Sequence, residues 1–112
     1  MRYVNYTNID ASFCRPYEPG DRLVKGWEGE AEELLRDAKV LDDTGVLRVL
    51  ERIYAKHNRD DRPDGRLCPS MSVGDVVIIG EVAYSVANFG FEPVNVDPAD
   101  LITDRTWSEV IA

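Results

Sequence analysis

The segment Ser72-Val73-Gly74-Asp75-Val76-Val77-Ile78-Ile79-Gly80-Glu81-Val82-Ala83-Tyr84-Ser85-Val86-Ala87 sets the strongest limit on what this chain can fold into. Two runs rich in β-branched residues are joined by Gly80-Glu81. A two-residue connection with glycine first suits a type II′ hairpin, where the first loop position needs a positive φ. Val76 to Ile79 is a continuous apolar run rather than an alternating one. It predicts strands covered on both faces, or a tightly curled sheet. A lone hairpin is marginal in water, so the rest of the chain has to supply the cover.

One long amphipathic segment can do so. Val46, Leu47, Leu50, Ile53, Tyr54 and His57 recur at three- and four-residue spacing, with Arg48, Glu51, Arg52, Lys56 and Arg59 mostly opposite. This predicts a helix over 44–58, started by Asp43 or Thr44 as N-cap and stopped near Asn58, with basic residues at its C-terminal end. Upstream, the alternation of Tyr3, Asn5 and Thr7 with Val4, Tyr6 and Asn8 predicts a strand over 1–14, broken by Pro16, Pro19 and Gly20. A second short strand is expected over 22–27, with Leu23, Lys25 and Trp27 on one side and Val24 opposite. Ala31, Leu34, Leu35 and Ala38 predict a short helix over 28–39, its early glutamates favoured by the helix dipole. Phe89-Gly90-Phe91-Glu92-Pro93-Val94 offers a turn and a short further strand. Asp97 before Pro98, and Thr103 before Asp104, offer caps for helical turns. Residues 95–112 are therefore expected to form a helical tail docked through Trp107, Val110 and Ile111. The expected fold is α+β: a single domain, 1–112, with a small curled antiparallel sheet of about four or five strands packed on one or two helices.

Charge narrows the function classes. The 21 Asp and Glu residues outnumber the 13 Lys and Arg residues, for a net charge of −8. A duplex nucleic-acid surface needs clustered cations, so this balance argues against one. The charge is uneven: 28–43 is acidic, 48–66 is basic through Arg48, Arg52, Lys56, Arg59, Arg62 and Arg66, and 92–112 is acidic again. Such a polarised surface can steer a partner. No apolar stretch is long enough for a membrane span, and the first ten residues lack the pattern of a signal peptide, so a cytoplasmic protein without a membrane partner is expected. Cys14 and Cys68 are expected as free thiols in a reducing compartment. Together with His57, the one histidine, they offer too few ligands for a structural zinc site, and neither metal nor cofactor is expected.

The residues Arg66-Leu67-Cys68-Pro69-Ser70-Met71-Ser72-Val73-Gly74-Asp75-Val76-Val77, with Ala83-Tyr84-Ser85-Val86-Ala87-Asn88-Phe89-Gly90-Phe91-Glu92-Pro93-Val94, resemble the YodL-like proteins and domains of phages and other mobile elements. Ser70, Ser72, Gly74, Asp75, Tyr84, Phe89, Gly90 and Phe91 carry the likeness. It covers about 54–94, and Pro69 and Met71 replace the Arg and Leu usual before and within the serine pair. The loop Asn58-Arg59-Asp60-Asp61-Arg62-Pro63 is also similar to that of small proteins from actinobacteria and their phages. The resemblance implies provenance rather than chemistry, because it brings no enzymatic mechanism.

Read on their own, these residues specify a small curled sheet. Ser70 and Ser72 can bond the local backbone, Gly74 can take a positive φ, and Asp75 can accept loop N–H groups or meet an arginine. His57, on the apolar face of the helix, reads as a core or capping residue rather than a general base, and no local signature supports a Cys68–His57 dyad. Without a catalytic signature, the expected function is non-enzymatic: binding and modulating a host protein. The candidate binding residues are Trp27 and Trp107, since exposed aromatics dominate hot spots, and the loop arginines Arg59, Arg62 and Arg66. Two alternatives remain. Glu28, Glu30, Glu32, Glu33, Asp37, Asp42 and Asp43 could form a DNA-mimicking acidic row, and the arginine loop could hold a nucleotide signal. Self-association is left open.

Overall fold

In a computed structural model, the structure describes residues 2–11, 15–30, 43–58, 71–88, 90–105 and 109–110; of 43–47 only the backbone is described. The fold is α+β. Strands β1 (Arg2–Asn8), β2 (Leu23–Glu30), β3 (Val76–Ile79), β4 (Val82–Val86), β5 (Phe91–Val94) and β6 (Leu101–Ile102) form one sheet of 6 strands in the order β5-β4-β3-β1-β2-β6. Helix α1 (Asp43–His57) packs on one face. The sheet is mixed rather than antiparallel, and larger than the sequence suggests: β6 joins β2 in parallel, with Leu23 facing Leu101 and Val24 facing Ile102.

The first strand sits in the middle. β1 pairs with β2 on one side and with β3 on the other, both antiparallel. That position buries both of its faces: Tyr3, Asn5, Tyr6 and Asn8 are all buried. β3 is central too, which explains its unbroken apolar run, and Val76 and Val77 are fully buried. The expected hairpin forms through Gly80-Glu81, with Ile79 opposite Val82 and Gly80 at φ 61°.

On the helix side, Val49, Leu50 and Ile53 close over Tyr3, Val77, Ile79 and Val86. The buried stripe of α1 is thus Val49, Leu50, Ile53 and His57; Tyr54, expected in it, rides on the rim at 36% exposure. On the distal side no helix covers the sheet among the described residues. Tyr6, Leu23, Val76 and Ala83 are instead shielded by irregular chain carrying Tyr17, Val96 and Leu101.

A β-bulge corrects the expected facing of β2. Between the pairs Val4–Glu28 and Tyr6–Lys25, β1 contributes Asn5 while β2 contributes both Gly26 and Trp27. One extra residue inverts a period-2 alternation. Leu23 therefore lies in the distal cluster, whereas Trp27 packs beneath the helix. Beyond the bulge, β2 continues through Glu28 and Glu30, where a helix start is expected from the sequence; pairing with Val4 and Arg2 holds these residues extended. The remainder of that expected helix, 31–39, lies outside the described residues. The tail also differs. Asp97 does cap Pro98–Asp100, accepting from the Ala99 N–H at 2.9 Å, but the turn is 3-10 and the chain then enters β6. Helical backbone reappears at 109–110.

Gly74 and Gly20 offer a paired test of backbone constraint. Both have positive φ, 97° and 94°, but a Cβ on Gly74 would lie 2.5 Å from the Arg15 carbonyl oxygen, whereas one on Gly20 meets nothing within 4 Å. Gly20→Ala is expected to cost about 1 kcal/mol through φ alone, and Gly74→Ala at least about 2 kcal/mol more because backbone must move. Urea unfolding of the two variants measures the difference; equal losses would show that the close approach does not matter.

Candidate functional site

Asn8, Ser72, Gly74 and Asp75 tie the sheet together. The Asp75 carboxylate accepts from the Asn8 N–H and the Ser72 N–H, each at 2.9 Å, joining the end of β1 to the turn before β3. The Gly74 N–H donates to the Val86 carbonyl and the Val86 N–H to the Asp75 carbonyl, both at 2.9 Å, so the same turn also closes β4. Asn8 spreads the network. Its Nδ2 donates to Asp21 Oδ2 at 2.9 Å and to the Gly74 carbonyl at 3.0 Å, while its Oδ1 accepts from the N–H groups of Asp10 and Ala11. Arg15 then grips Asp21 through both carboxylate oxygens at 2.9 Å.

The two buried carboxylates respond oppositely. The Arg15 guanidinium holds Asp21 down to about 2, despite burial. Burial pushes Asp75 up to about 7, and its two backbone N–H donors offset only part of this. Both carboxylates are enclosed by their own partners, and this knot joins β1, β3 and β4.

A second polar group lies beneath the helix. His57 is 1% exposed, and its Nε2 sits 3.3 Å from the Tyr3 hydroxyl. Burial, aided by Lys56, lowers His57 to about 4, so the imidazole is neutral at physiological pH. Trp27 leans on the same ring at 6.4 Å between centroids, with the Lys56 ammonium 6.0 Å from the indole centroid. The indole N–H is near enough to the Tyr3 oxygen to counter slightly the rise that burial gives its phenol, but it lies outside hydrogen-bond geometry. Both polar atoms of the Asn5 side chain are buried without a partner as well. His57 is therefore enclosed in the core rather than presented to a substrate.

Two apolar clefts open to the outside among the described residues. One, about 220 Å³, opens between α1 and β5 and is lined by Tyr54, Val73, Val86, Ala87 and Phe91. Tyr54 meets Phe91 edge-on, ring centroids 6.2 Å apart. The other, about 290 Å³, lies on the distal face over Ile78, Ala83, Val94, Val96 and Leu101. The basic residues of α1, Arg48, Arg52 and Lys56, stand on the helix side of the sheet.

Among the sequence candidates, Phe91 borders a cleft, Tyr84 is half-buried against the helix-side core and Trp27 is packed within it. Gly90 has φ 81° with open space around it. Trp107, Arg59, Arg62, Arg66, Ser70, Phe89, Cys14 and Cys68 lie outside the described residues. Within the proposed acidic row, Glu28 is already paired with Arg2 and Lys25, which neutralises it. Among the described residues, no group of three or more His, Cys, Asp and Glu side chains could hold a metal, and no helix is long and apolar enough to cross a membrane. Tyr54 was missed as a surface residue because helical spacing alone does not separate the centre of a stripe from its edge. No family model matches the chain, and neither curated proteins nor solved structures match it.

The buried pair His57 and Asp75 makes stability depend on pH in two opposing ways. Folded Asp75 keeps its proton up to about 7 against an ordinary 3.8, so its contribution falls as pH rises from about 4 to 7. Folded His57 stays neutral down to about 4 against an ordinary 6.5, so its contribution rises over nearly the same range. Each is worth on the order of 3 kcal/mol. Asp75→Asn is expected to gain stability from pH 4.5 to 7, and His57→Gln to lose it, with the parent nearly flat between. Urea midpoints at the two pH values read the signs; identical slopes in all three proteins would refute the assignment.

Proposed function

We propose that this protein is a non-enzymatic accessory protein of a phage or mobile element that binds and modulates a host protein. The observation that carries the reading is the open Tyr54–Phe91 cleft. It places an exposed aromatic ring, a second ring braced against it and an apolar floor on one rigid edge of the sheet. Aromatic anchors in well-packed apolar surroundings dominate protein–protein hot spots. At about 220 Å³ the cleft is below the usual size of a small-molecule site and suits one or two inserted side chains. The resemblance over about 54–94 supports the provenance, and the cleft is lined in part by that stretch, through Val73, Val86, Ala87 and Phe91. The polarised charge of the chain, basic over 48–66 and acidic over 28–43 and 92–112, supports a steered encounter.

The full chain, tagged and used as bait in an actinobacterial lysate, is expected to enrich one protein over an unrelated acidic control. With that protein purified, Tyr54→Ala is expected to weaken binding at least about tenfold, or about 1.4 kcal/mol. Tyr54 is partly exposed, so the fold survives its truncation. Phe91→Ala should act in the same direction. Val82→Ala, at an exposed position in the hairpin away from this cleft, should bind like the parent. Failure to enrich any protein, or unchanged affinity in both cleft variants, would overturn the reading.

A further inference from the structure

The distal face carries a second cleft that the host-protein reading does not use. The cleft, of about 290 Å³, has an apolar floor over Ile78, Ala83, Val94, Val96 and Leu101. Its rim is acidic. Glu81 lines the cleft directly. Asp97 and Asp100 bracket the Pro98 turn that forms one wall. Glu92 stands opposite Ser85 on the same face of the sheet as Val94 opposite Ala83. None of the four makes an ion pair among the described residues; Asp97 accepts only the Ala99 N–H of its own turn. Other acids in the sheet and its adjoining loops are answered: Glu28 by Arg2 and Lys25, Asp10 by Arg22, Asp21 by Arg15. The carboxylates of Asp100 and Asp97 also lie close enough to Tyr17, which packs on this face, to reinforce the upward push that burial gives its phenol.

We infer that this cleft docks a basic segment of a protein partner, an apolar side chain seated between Ile78, Val94, Val96 and Leu101 with flanking Lys or Arg residues on the acidic rim. Unpaired carboxylates around an apolar floor complement that chemistry and disfavour an acidic segment. The volume holds a single large side chain rather than a cofactor. Strand addition is not the mode of binding. The edge strand β5 beside the cleft is short and contains Pro93, which lacks the N–H that an added strand would need.

The test uses the full chain and three short peptides: a leucine flanked on both sides by lysine and arginine, the same leucine flanked by glutamate and aspartate, and a glycine flanked by lysine and arginine. Amide chemical shifts are followed by NMR. The basic leucine peptide is expected to move Ile78, Ala83, Val94, Val96 and Leu101, and to bind about tenfold more tightly than either control. Glu81→Lys combined with Asp100→Lys should weaken it about tenfold, and Val96→Lys should do so without touching the rim; the same spectra report that each variant is folded. The proposal is overturned if the shifts are absent, or map to the Tyr54–Phe91 cleft, or are matched by the acidic or the glycine peptide. These outcomes are independent of lysate capture: a host protein lost on Tyr54→Ala can coexist with a cleft that fails every peptide, and the reverse.

Discussion

The structure depends on the insertion of β1 between β2 and β3. Each neighbour comes from a different part of the chain, and neither half of the sheet is complete without the central strand. The contact that locks this arrangement is the bond from the Asn8 N–H to the Asp75 carboxylate, which spans 67 positions of sequence. Closing so large a loop has an entropic cost that grows only slowly with length. It is opposed by burial of β1 on both faces and by hydrogen bonding along both of its edges. Asp75 is well placed for this. It caps the turn through Ser72, holds β1 through Asn8, and through its backbone carbonyl receives Val86 from β4.

Much of this was legible where the signal is local. The Gly80-Glu81 hairpin, the amphipathic segment of α1 and the Asp97-Pro98 cap are each written in a few adjacent residues, and each appears where those residues place it. The parts that escaped depend on distant partners. Glu28 and Glu30 look like the acidic first turn of a helix, yet they extend β2, because Arg2 and Val4 pair with them. Leu101 and Ile102 are too few to show any period, and their strand exists only because β2 offers an edge. The candidate site divides in the same way. Phe91 could be picked out from its Phe-Gly-Phe setting. Tyr54 could not, since its helical spacing is that of a buried residue, and only the position of β5 shows that it meets Phe91 at the rim.

The bulge at Gly26 and Trp27 shows how much one residue can redirect. Without it, Trp27 would share a face with Leu23 and contribute an aromatic ring to the distal surface. With it, the indole goes under the helix and helps enclose His57, and Gly29 comes to lie beneath Tyr3, where a Cβ would be 2.9 Å from the ring. The distal face keeps Tyr6 and Tyr17 among its aliphatic residues, while Trp27 joins Tyr3, Tyr84 and Phe91 on the helix side.

The central place of β1 also has a consequence for synthesis. A ribosome makes β1 and β2 before β3, so until β3 emerges the nascent chain carries a two-stranded ribbon with one unpaired edge waiting for its neighbour. Such a ribbon has little stability alone, and an open strand edge is a template for wrong pairing. The molecule therefore cannot acquire its fold stepwise from the N-terminus; it must assemble late, after the hairpin has left the exit tunnel, and during that interval β1 is the segment most in need of protection.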